Sequence, residues 1–234
     1  MLFQSAPLFK LSYRFVMTQY YVETDGKLFL LKKGNVWKFP RTREELPFGI
    51  SPRAKMVIGD EEVVYSEPDI SRHPSDWLNK EDVPLLDDVD PVVRKAVNFS
   101  LPRLVVEAVI ERGEKVLLVK PSRGYNQDSW TLPGGFLVYS ETPKSAVLRE
   151  VEEEVNVEPR VKDLLDVYSA RGTRNSYQWV IFYYSAELPG PPEEIKPNHE
   201  IKELRWFKRD RAVEAINSPL MRQGLKRIIS SGKL

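Results

Sequence analysis

Residues 135–157 carry more negative charge than an ordinary helix tolerates. The stretch reads GFLVYSETPKSAVLREVEEEVNV, and within about one and a half helical turns it places Glu150, Glu152, Glu153 and Glu154. Like charges three and four residues apart destabilise a helix by roughly 0.2–0.5 kcal/mol per pair, and anions near the C-terminus oppose the macrodipole. A helix this unfavourable on its own indicates a functional site, where bound divalent cations would compensate the charge.

Helical periodicity separates these glutamates. Glu150, Glu153 and Glu154 share one face because residues three and four apart are neighbours, whereas Glu152 points elsewhere. The adjacent apolar stripe is formed by Val147, Leu148, Val151 and Val155. The sequence therefore predicts a helix that buries one side and presents clustered oxygens on another. A solvated helix face is the ordinary alternative for a run of glutamates.

Both ends of this predicted helix are marked in the sequence. Thr142 is a predicted N-cap with Pro143 at the first helical position, and Asn156 can adopt the left-handed conformation that ends a helix. Upstream, residues 130–135 read WTLPGG, which predicts a short strand and then a tight loop. The glycines of that loop allow the backbone to approach a ligand closely.

Carboxylate oxygens are hard ligands, which favour Mg²⁺, with Mn²⁺ as a second option. Zinc prefers nitrogen and sulfur ligands. The chain has no cysteine, and its two histidines are His73 and His199. We therefore expect a magnesium-type site and no structural zinc.

The spacing in this stretch resembles that of the Nudix hydrolases. Their signature is glycine, five residues, glutamate, seven residues, Arg-Glu-aliphatic, one residue, Glu-Glu, one residue, Gly-aliphatic. The matching positions here are Gly135, Glu141, Arg149, Glu150, Val151, Glu153, Glu154 and Val157. One position departs, because Asn156 stands where the family has its late glycine. Asparagine is the next best residue for a left-handed helix end, so the charged positions are unaffected.

The resemblance implies roles for the charged residues. Glu153 and Glu154 would be metal ligands, assisted by the carbonyl oxygen of Gly134. Glu150 would be the third carboxylate of the helix, acting as a ligand or as the base for a metal-bound water. Arg149 would orient these glutamates through charge-assisted hydrogen bonds.

The resemblance also implies a supporting set. Gly135 and Glu141 would support the metal site. In several family members a glutamate from a later loop completes the metal site or activates water. In this chain the candidates in the later loop are Glu193, Glu194 and Glu200. We prefer Glu194 slightly, and solvated loop charges are the alternative for at least two of the three.

The sequence gives little information about which residues contact the substrate. The candidates for binding phosphates are three arginines in predicted loops, Arg123, Arg171 and Arg174. For each of them an ordinary exposed arginine is the alternative. Tyr125 and Trp130 are candidates for stacking on a base, although an aromatic residue beside a strand is more typical of core packing.

The order of predicted elements indicates an α/β protein with two domains. Residues 1–95 are predicted to form a small β-rich domain with a linker. Residues 96–234 are predicted to form an α/β/α sandwich with a mixed sheet, which the Nudix resemblance also implies. Predicted strands lie at 19–24, 27–32, 36–39, 63–65, 104–110, 115–120, 161–169, 177–186 and 204–207. Predicted helices besides the acidic one lie at 90–97, 210–216 and 219–230.

The balance of charge limits the expected partners. Lysine and arginine total 35 against 34 aspartate and glutamate, for a net charge of +1. This balance does not favour nucleic acid or an anionic membrane as partner. No apolar run approaches the roughly 20 residues that cross a bilayer. We expect a cytoplasmic protein that acts on a small molecule, with the N-terminal domain as a candidate homodimerisation module.

The Nudix resemblance implies Mg²⁺-dependent hydrolysis of a diphosphate linkage in a nucleoside diphosphate derivative, with an ADP-ribose or nucleotide-sugar-like substrate favoured. Such hydrolysis needs charge neutralisation and an oriented water, which bound cations can supply. One alternative is a non-catalytic nucleotide-binding or regulatory protein on the same fold. Another is an RNA-end hydrolase, which would require a basic surface.

Overall fold

The computed structural model describes residues 17–172, 177–191 and 194–234. The candidates Arg174 and Glu193 lie outside the described residues. The chain divides into two compact units after Ser100. Within the described ranges, each helix is too short or too polar to span a bilayer.

The first unit is rich in β-structure, as the sequence predicts. Its elements are β1 (Met17–Thr24), β2 (Lys27–Phe29), β3 (Leu31–Lys33), β4 (Val36–Lys38), β5 (Gly49–Ile58), β6 (Glu61–Asp69), β7 (Leu78–Asn79) and the helix α1 (Pro91–Ser100). A five-stranded sheet has the order β5-β6-β1-β2-β7, and β3 and β4 form a separate hairpin. Strands β1 and β6 run parallel, and the other neighbours are antiparallel.

Helix α1 closes the core of the first unit. The Asp90 carboxylate accepts a hydrogen bond from the Val92 N–H at 2.9 Å, which confirms the predicted helix start. Ala96 and Val97 are buried in the same core as β1 and β6. The first unit therefore extends to Ser100, beyond the boundary expected at residue 95.

The sequence does not predict strand β5. This strand contains Pro52, and its buried residues are Met56 and Ile58 near one end. Exposed and covered residues alternate over residues 53–58, but Pro52 and the exposed apolar Val57 obscure this pattern in the sequence. Strand β5 lies at an edge of the five-stranded sheet, where such a sequence is tolerated.

The second unit contains the acidic helix. Its elements are β8 (Arg103–Arg112), β9 (Lys115–Pro121), β10 (Gly134–Phe136), α2 (Pro143–Val155), β11 (Arg160–Arg171), β12 (Gln178–Glu187), β13 (Ile201–Lys208), α3 (Arg209–Ala215) and α4 (Pro219–Ser230). The sheet has the order β11-β12-β8-β9-β13, with β10 paired to β8. It is mixed, because β8 and β12 are parallel and the other pairs are antiparallel.

Strand β8 shows how the sheet is covered on both faces. Val105 and Val109 pack into the core that includes residues of α3 and α4. Val106, Ala108 and Ile110 alternate with them and pack into the core that includes the apolar stripe of α2. Helices thus cover both faces of a mixed sheet, and the predicted α/β/α sandwich is confirmed.

Strands β8 and β9 diverge after their turn. Their register pairs lie beside that turn and are Glu111 with Val116 and Arg112 with Lys115. Further along, β10 pairs with residues 105–107 of β8. The predicted hairpin therefore forms near its turn. The sequence predicts Gly134 and Gly135 in a tight loop, whereas they belong to β10, which occupies the gap where the strands separate. The segment 130–136, which ends with β10, is called the glycine loop below.

Candidate functional site

Arg149 lies at the centre of the carboxylate cluster. Its Nε and Nη2 donate to the two carboxylate oxygens of Glu141 at 2.9 and 3.0 Å. Its Nη1 donates to Glu150 at 2.7 Å and to Glu153 at 3.3 Å. Its Nη2 also donates to the carbonyl oxygen of Phe136 at 3.1 Å. One guanidinium therefore holds three carboxylates and ties them to the glycine loop.

These contacts act against the repulsion among the glutamates of α2 that the sequence predicts. The hydrogen bonds from Arg149 lower the pKa of the Glu141 carboxyl, and the bond to Glu141 raises the pKa of the guanidinium. Burial raises the pKa of Glu150, and Arg149 opposes that rise. Glu153 is 56% exposed, so water also screens its charge. Repulsion within α2 is thus offset by an arginine of the same helix.

Glu154 is the buried member of the cluster. Its side chain lies in the interior, and its Oε2 accepts a hydrogen bond from the Gly134 N–H at 3.1 Å. Burial raises the pKa of this carboxyl well above its usual range, and the Gly134 N–H partly opposes the rise. The neighbouring carboxylates of Glu150 and Glu200 raise it further. A cation beside Glu154 would relieve the same penalty.

Glu107 is a fifth carboxylate, which lies outside the sequence motif. It lies on β8 between Val105 and Val109, is 2% exposed, and its Oε2 has no hydrogen-bond partner among the described residues. Burial, followed by Glu154 and then Glu150, raises its pKa well above the usual range. The available signal is a glutamate at an inward position of an apolar strand, where an unpaired charge is costly.

The two glycines of the loop let these groups approach. A Cβ on Gly135 would lie 2.5 Å from the carboxyl carbon of Glu150. Gly134 has φ of +151°, and a Cβ there would lie 2.9 Å from the Cα of Glu107. Any larger side chain at either position would push the loop away from the carboxylates.

The ends of α2 are formed as the sequence predicts. The Thr142 hydroxyl accepts from the Ser145 N–H at 3.2 Å, and Pro143 occupies the first turn. Asn156 adopts the left-handed conformation, with φ 56° and ψ 28°, and its N–H donates to the carbonyl oxygen of Glu152. The departure from the Nudix glycine therefore leaves the helix end intact.

The C-terminal end of α2 also holds the later loop. The Asn198 N–H donates to the carbonyl oxygen of Glu154 at 3.2 Å, and the Lys196 N–H donates to that of Val155 at 3.3 Å. The side-chain amide of Asn156 donates to the carbonyl oxygen of Lys196 at 3.0 Å. These bonds fix the segment that leads into β13 against the helix.

A cleft of about 300 Å³ is lined by Glu150 and Glu154 of this cluster, and we name it the carboxylate cleft. Its lining includes Glu107, Glu150, Glu154, Glu200, Arg123, Tyr125, Phe136 and Trp179. Arg123 forms an ion pair with Glu200. Two residues predicted to belong to the site do not line this cleft. Glu194 is exposed, and its carboxylate lies against Gly190. Arg171 is exposed at the end of β11.

The residues of the carboxylate cleft fit a divalent cation. Within the described residues, no three histidine, aspartate or glutamate side chains are already grouped as metal ligands. However, Glu107, Glu150 and Glu154 line one cleft, each with a raised pKa, and Glu107 has an unpartnered oxygen. Excess buried negative charge on hard oxygen donors suits Mg²⁺ or Mn²⁺ once the carboxylates rotate inward.

Comparison with known proteins identifies the family to which the second unit belongs. The family model described as NUDIX domain matches residues 101–230, which is more than half of the chain. The chain belongs to the NUDIX family. The matched range contains the whole carboxylate cleft, so the geometry described above is that of a NUDIX domain.

Several known proteins are similar to this NUDIX domain. The ADP-ribose pyrophosphatase of Methanocaldococcus jannaschii is 35% identical over 108 residues, covering 45% of this chain and 62% of that protein. Diphosphoinositol polyphosphate phosphohydrolase 3-alpha of Mus musculus is 34% identical over 107 residues, with the same coverage of 45% and 62%. A solved NUDIX hydrolase from Nitrosomonas europaea is 27% identical, with a TM-score of 0.49, covering 57% of this chain and 91% of that one. The chain thus spans less than two thirds of the two curated relatives.

The buried Glu107 carboxyl predicts an unusual dependence of stability on pH. Its pKa is raised in the folded state, so its contribution to stability is present below the unfolded pKa of about 4.3 and is lost as pH rises toward the folded value. Glu107→Gln removes this titration. In EDTA, we expect the free energy of unfolding of Glu107→Gln to exceed that of the wild type at pH 8 by at least about 1 kcal/mol.

Urea unfolding at pH 5 and pH 8 measures this difference. The gap between Glu107→Gln and the wild type should widen as pH rises. Glu152→Gln, at an exposed position of α2, is the matched control and should follow the wild-type curve. Parallel curves for Glu107→Gln and the wild type would contradict the assignment of a raised pKa.

Proposed function

We propose that the chain is a Mg²⁺-dependent pyrophosphohydrolase that cleaves the diphosphate linkage of a nucleoside diphosphate derivative. The observation that carries the proposal is that Glu150, held by Arg149, and Glu154, held by the Gly134 N–H, line one cleft together with the buried Glu107. The similarity to a protein named ADP-ribose pyrophosphatase supports a substrate of that kind. ADP-ribose and nucleotide sugars are therefore the first substrates to test.

The proposed ligands for the cation are Glu153, Glu154 and the carbonyl oxygen of Gly134, with Glu150 as a further ligand or as the base. When bound, Mg²⁺ polarises phosphoryl oxygens and lowers the pKa of a coordinated water. Glu154 is held toward the loop by the Gly134 N–H, and Glu150 by Arg149. A carboxylate that accepts the water proton must lie beside these ligands, which the position of Glu150 supports.

The loop carboxylate that completes the site is, in our proposal, Glu200 rather than Glu194. Glu200 lines the carboxylate cleft and influences the pKa of Glu154. Glu194 is exposed and lies against Gly190. Arg123 also lines this cleft, and it would contact a phosphate there by exchanging its ion pair with Glu200 for a phosphate oxygen.

The roles within α2 predict a sharp difference between two adjacent glutamates. Glu153→Gln removes a proposed metal ligand, whereas Glu152→Gln removes the same charge from an exposed position outside the cluster. We expect Glu153→Gln to lower Mg²⁺-dependent release of AMP from ADP-ribose about 100-fold or more, and Glu152→Gln to leave it near wild type.

The assay uses the full chain with ADP-ribose, UDP-glucose and diadenosine tetraphosphate, each with Mg²⁺ and with Mn²⁺. Equal turnover in the two variants would remove Glu153 from the site. Tight nucleotide binding with no phosphate or monophosphate product at high Mn²⁺ would instead support the non-catalytic alternative.

Arg149 is proposed as a positioning residue, which Arg149→Lys tests. Lysine keeps the positive charge but cannot donate in parallel to Glu141 while also holding Glu150 and Glu153. We expect turnover at a fixed Mg²⁺ concentration to fall about 10- to 100-fold, with partial recovery at higher Mg²⁺. Arg211→Lys, at an exposed pair with Glu214, is the control and should keep full turnover. Unchanged Mg²⁺ dependence in Arg149→Lys would contradict this role.

We further propose that the first unit forms a homodimer through the edge of its sheet. Strand β5 lies at that edge, and Val57 on it is 65% exposed. Unpaired edge strands readily pair with a second copy. Light scattering should give a mass of about twice the 27.1 kDa of one chain. Val57→Lys should give a monomer. Leu85→Lys, at another exposed position, is the control and should remain a dimer. A monomeric wild type would exclude the dimer.

A further inference from the structure

Three cationic side chains lie side by side at one end of the sheet of the second unit. In the register of the strands, Arg112 of β8 is paired with Lys115 of β9, and Lys115 is paired with Lys208 of β13. Directly opposed residues of antiparallel strands point to the same face of a sheet. The three cations therefore form a row across three neighbouring strands, and we name them the cation row.

The cation row is unfavourable for the sheet by itself. Like charges directly opposite each other on neighbouring strands are destabilising. In the described part of the chain, neither Lys115 nor Lys208 forms an ion pair. A lysine on the edge strand β13 protects that edge against pairing with another chain, but Lys115 lies on β9, inside the sheet. A bound anion would supply the compensation that the row lacks.

The cation row borders a recess of about 550 Å³, which we name the cationic recess. The described residues that line it are Arg112, Glu114, Lys115, Trp206 and Lys208. Three of these side chains are cations, and Glu114 is the single carboxylate among them. The recess is therefore positively charged and attracts anions.

Arg112 is held on two sides in this recess. Its guanidinium carbon lies 5.4 Å from the centroid of the Trp206 ring, within the range of a cation–π contact. Its Nη2 donates to the carbonyl oxygen of Gly190 at 2.8 Å. Lys115 and Lys208 are exposed, and their flexible stems can direct the ammonium groups toward a ligand. The recess thus combines one fixed guanidinium with two adaptable cations.

The cationic recess is separate from the carboxylate cleft. The described residues that line the two have no member in common. Strand β13 begins at Ile201, which lines the cleft, and ends at Lys208, which lines the recess. At about 3.3 Å per residue, the two ends of this strand lie roughly 23 Å apart. A small ligand in the recess is therefore out of reach of Glu150 and Glu154.

The length of the cation row limits the size of the ligand. Neighbouring strands lie about 4.8 Å apart, so the outer two residues of the row are separated by roughly 10 Å. Two or three linked phosphates place several charged oxygens within that span. An acidic peptide spreads single charges over separate side chains. A nucleic-acid strand would need further cations beyond the row, where Arg209 is already paired with Glu111.

We propose that the cationic recess binds a compact phosphate anion, with pyrophosphate and short linear oligophosphates as its ligand class. Arg112 donates to one phosphate from its place on Trp206, and Lys115 and Lys208 pair with the others. A free oligophosphate and the phosphate tail of a nucleoside triphosphate present the same chemistry to this site. The site goes beyond the proposed hydrolysis, because it needs no turnover in the carboxylate cleft.

Calorimetric titration of the full chain with tripolyphosphate in EDTA tests the proposal. Without a cation the carboxylate cleft is acidic and repels the ligand. We expect saturable binding that weakens as salt is added. Lys115→Gln should weaken it at least about tenfold, the size of one charge-assisted contact, and so should Lys208→Gln. Both lysines are exposed, so both variants keep the fold.

Lys144→Gln is the matched control for these variants. It removes the same charge from an exposed position of α2 outside the recess and should bind tripolyphosphate as the wild type does. A loss in Lys144→Gln equal to that in Lys115→Gln would reduce the effect to net charge and overturn the proposal. Unchanged binding in both Lys115→Gln and Lys208→Gln would overturn it as well.

Urea unfolding gives a second readout, which distinguishes a binding row from a structural one. Without ligand at low salt, Lys115→Gln should unfold at a higher urea concentration than the wild type, because it removes two like-charge contacts. The difference should shrink at high salt. Tripolyphosphate should raise the midpoint of the wild type more than that of the variant. A lower midpoint for Lys115→Gln without ligand would show that the protein itself compensates Lys115, against the proposal.

A comparison of ligands identifies the source of the phosphates. Equal affinities for ATP and tripolyphosphate assign the recess to the tail of a nucleotide, whereas much weaker binding of ATP assigns it to free oligophosphate. No binding of tripolyphosphate would overturn the proposal. Tighter binding of a single-stranded oligonucleotide or of an acidic peptide would overturn it too, because the row would then belong to an extended partner.

Discussion

The rest of the site depends on the hydrogen bonds that Arg149 donates. Without Arg149, Glu150 and Glu153 would repel each other across one helical turn, and Glu141 would have no partner from α2. Its fifth hydrogen bond, to the carbonyl oxygen of Phe136, ties the helix to the loop that supplies Gly134 and Gly135. The same guanidinium therefore stabilises the helix and sets its distance from the loop, which a flexible lysine would not do.

The divergence of β8 and β9 makes room for β10 beside helix α2. A continuous hairpin would leave no room for the glycine loop, whereas the gap admits β10 and brings Gly134 to Glu154. It also places Glu107 of β8 near the helix carboxylates, where burial and their charges raise its pKa. The interior of the sheet thus contributes a buried carboxyl group, and the cost of ionising it is consistent with a site that needs a cation.

Local sequence signals predict helix α2, whereas residues that reach the site through long-range packing could not be predicted from the sequence. Thr142 and Asn156 mark their helix ends by their own chemistry, so both caps could be predicted and are confirmed. The apolar neighbours of Glu107 hint at an inward position, but only the packing of both faces of β8 shows that its side chain is buried. The preference for Glu194 over Glu200 rested on sequence position alone. Only the bonds between α2 and the following loop bring Glu200 to the cleft.

The rim of the carboxylate cleft is built from chain segments other than α2. Arg123 and Tyr125 follow β9; the side chain of Arg123 is 70% exposed, and Tyr125 is about half exposed with its ring beside the buried Trp179. The helix, with both ends capped, keeps its shape whatever the rim contains. Changes at the rim can therefore alter what the cleft admits while the arrangement of the α2 carboxylates stays constant. A directed-evolution library confined to Arg123, Tyr125 and Phe136 would explore specificity at little risk to folding.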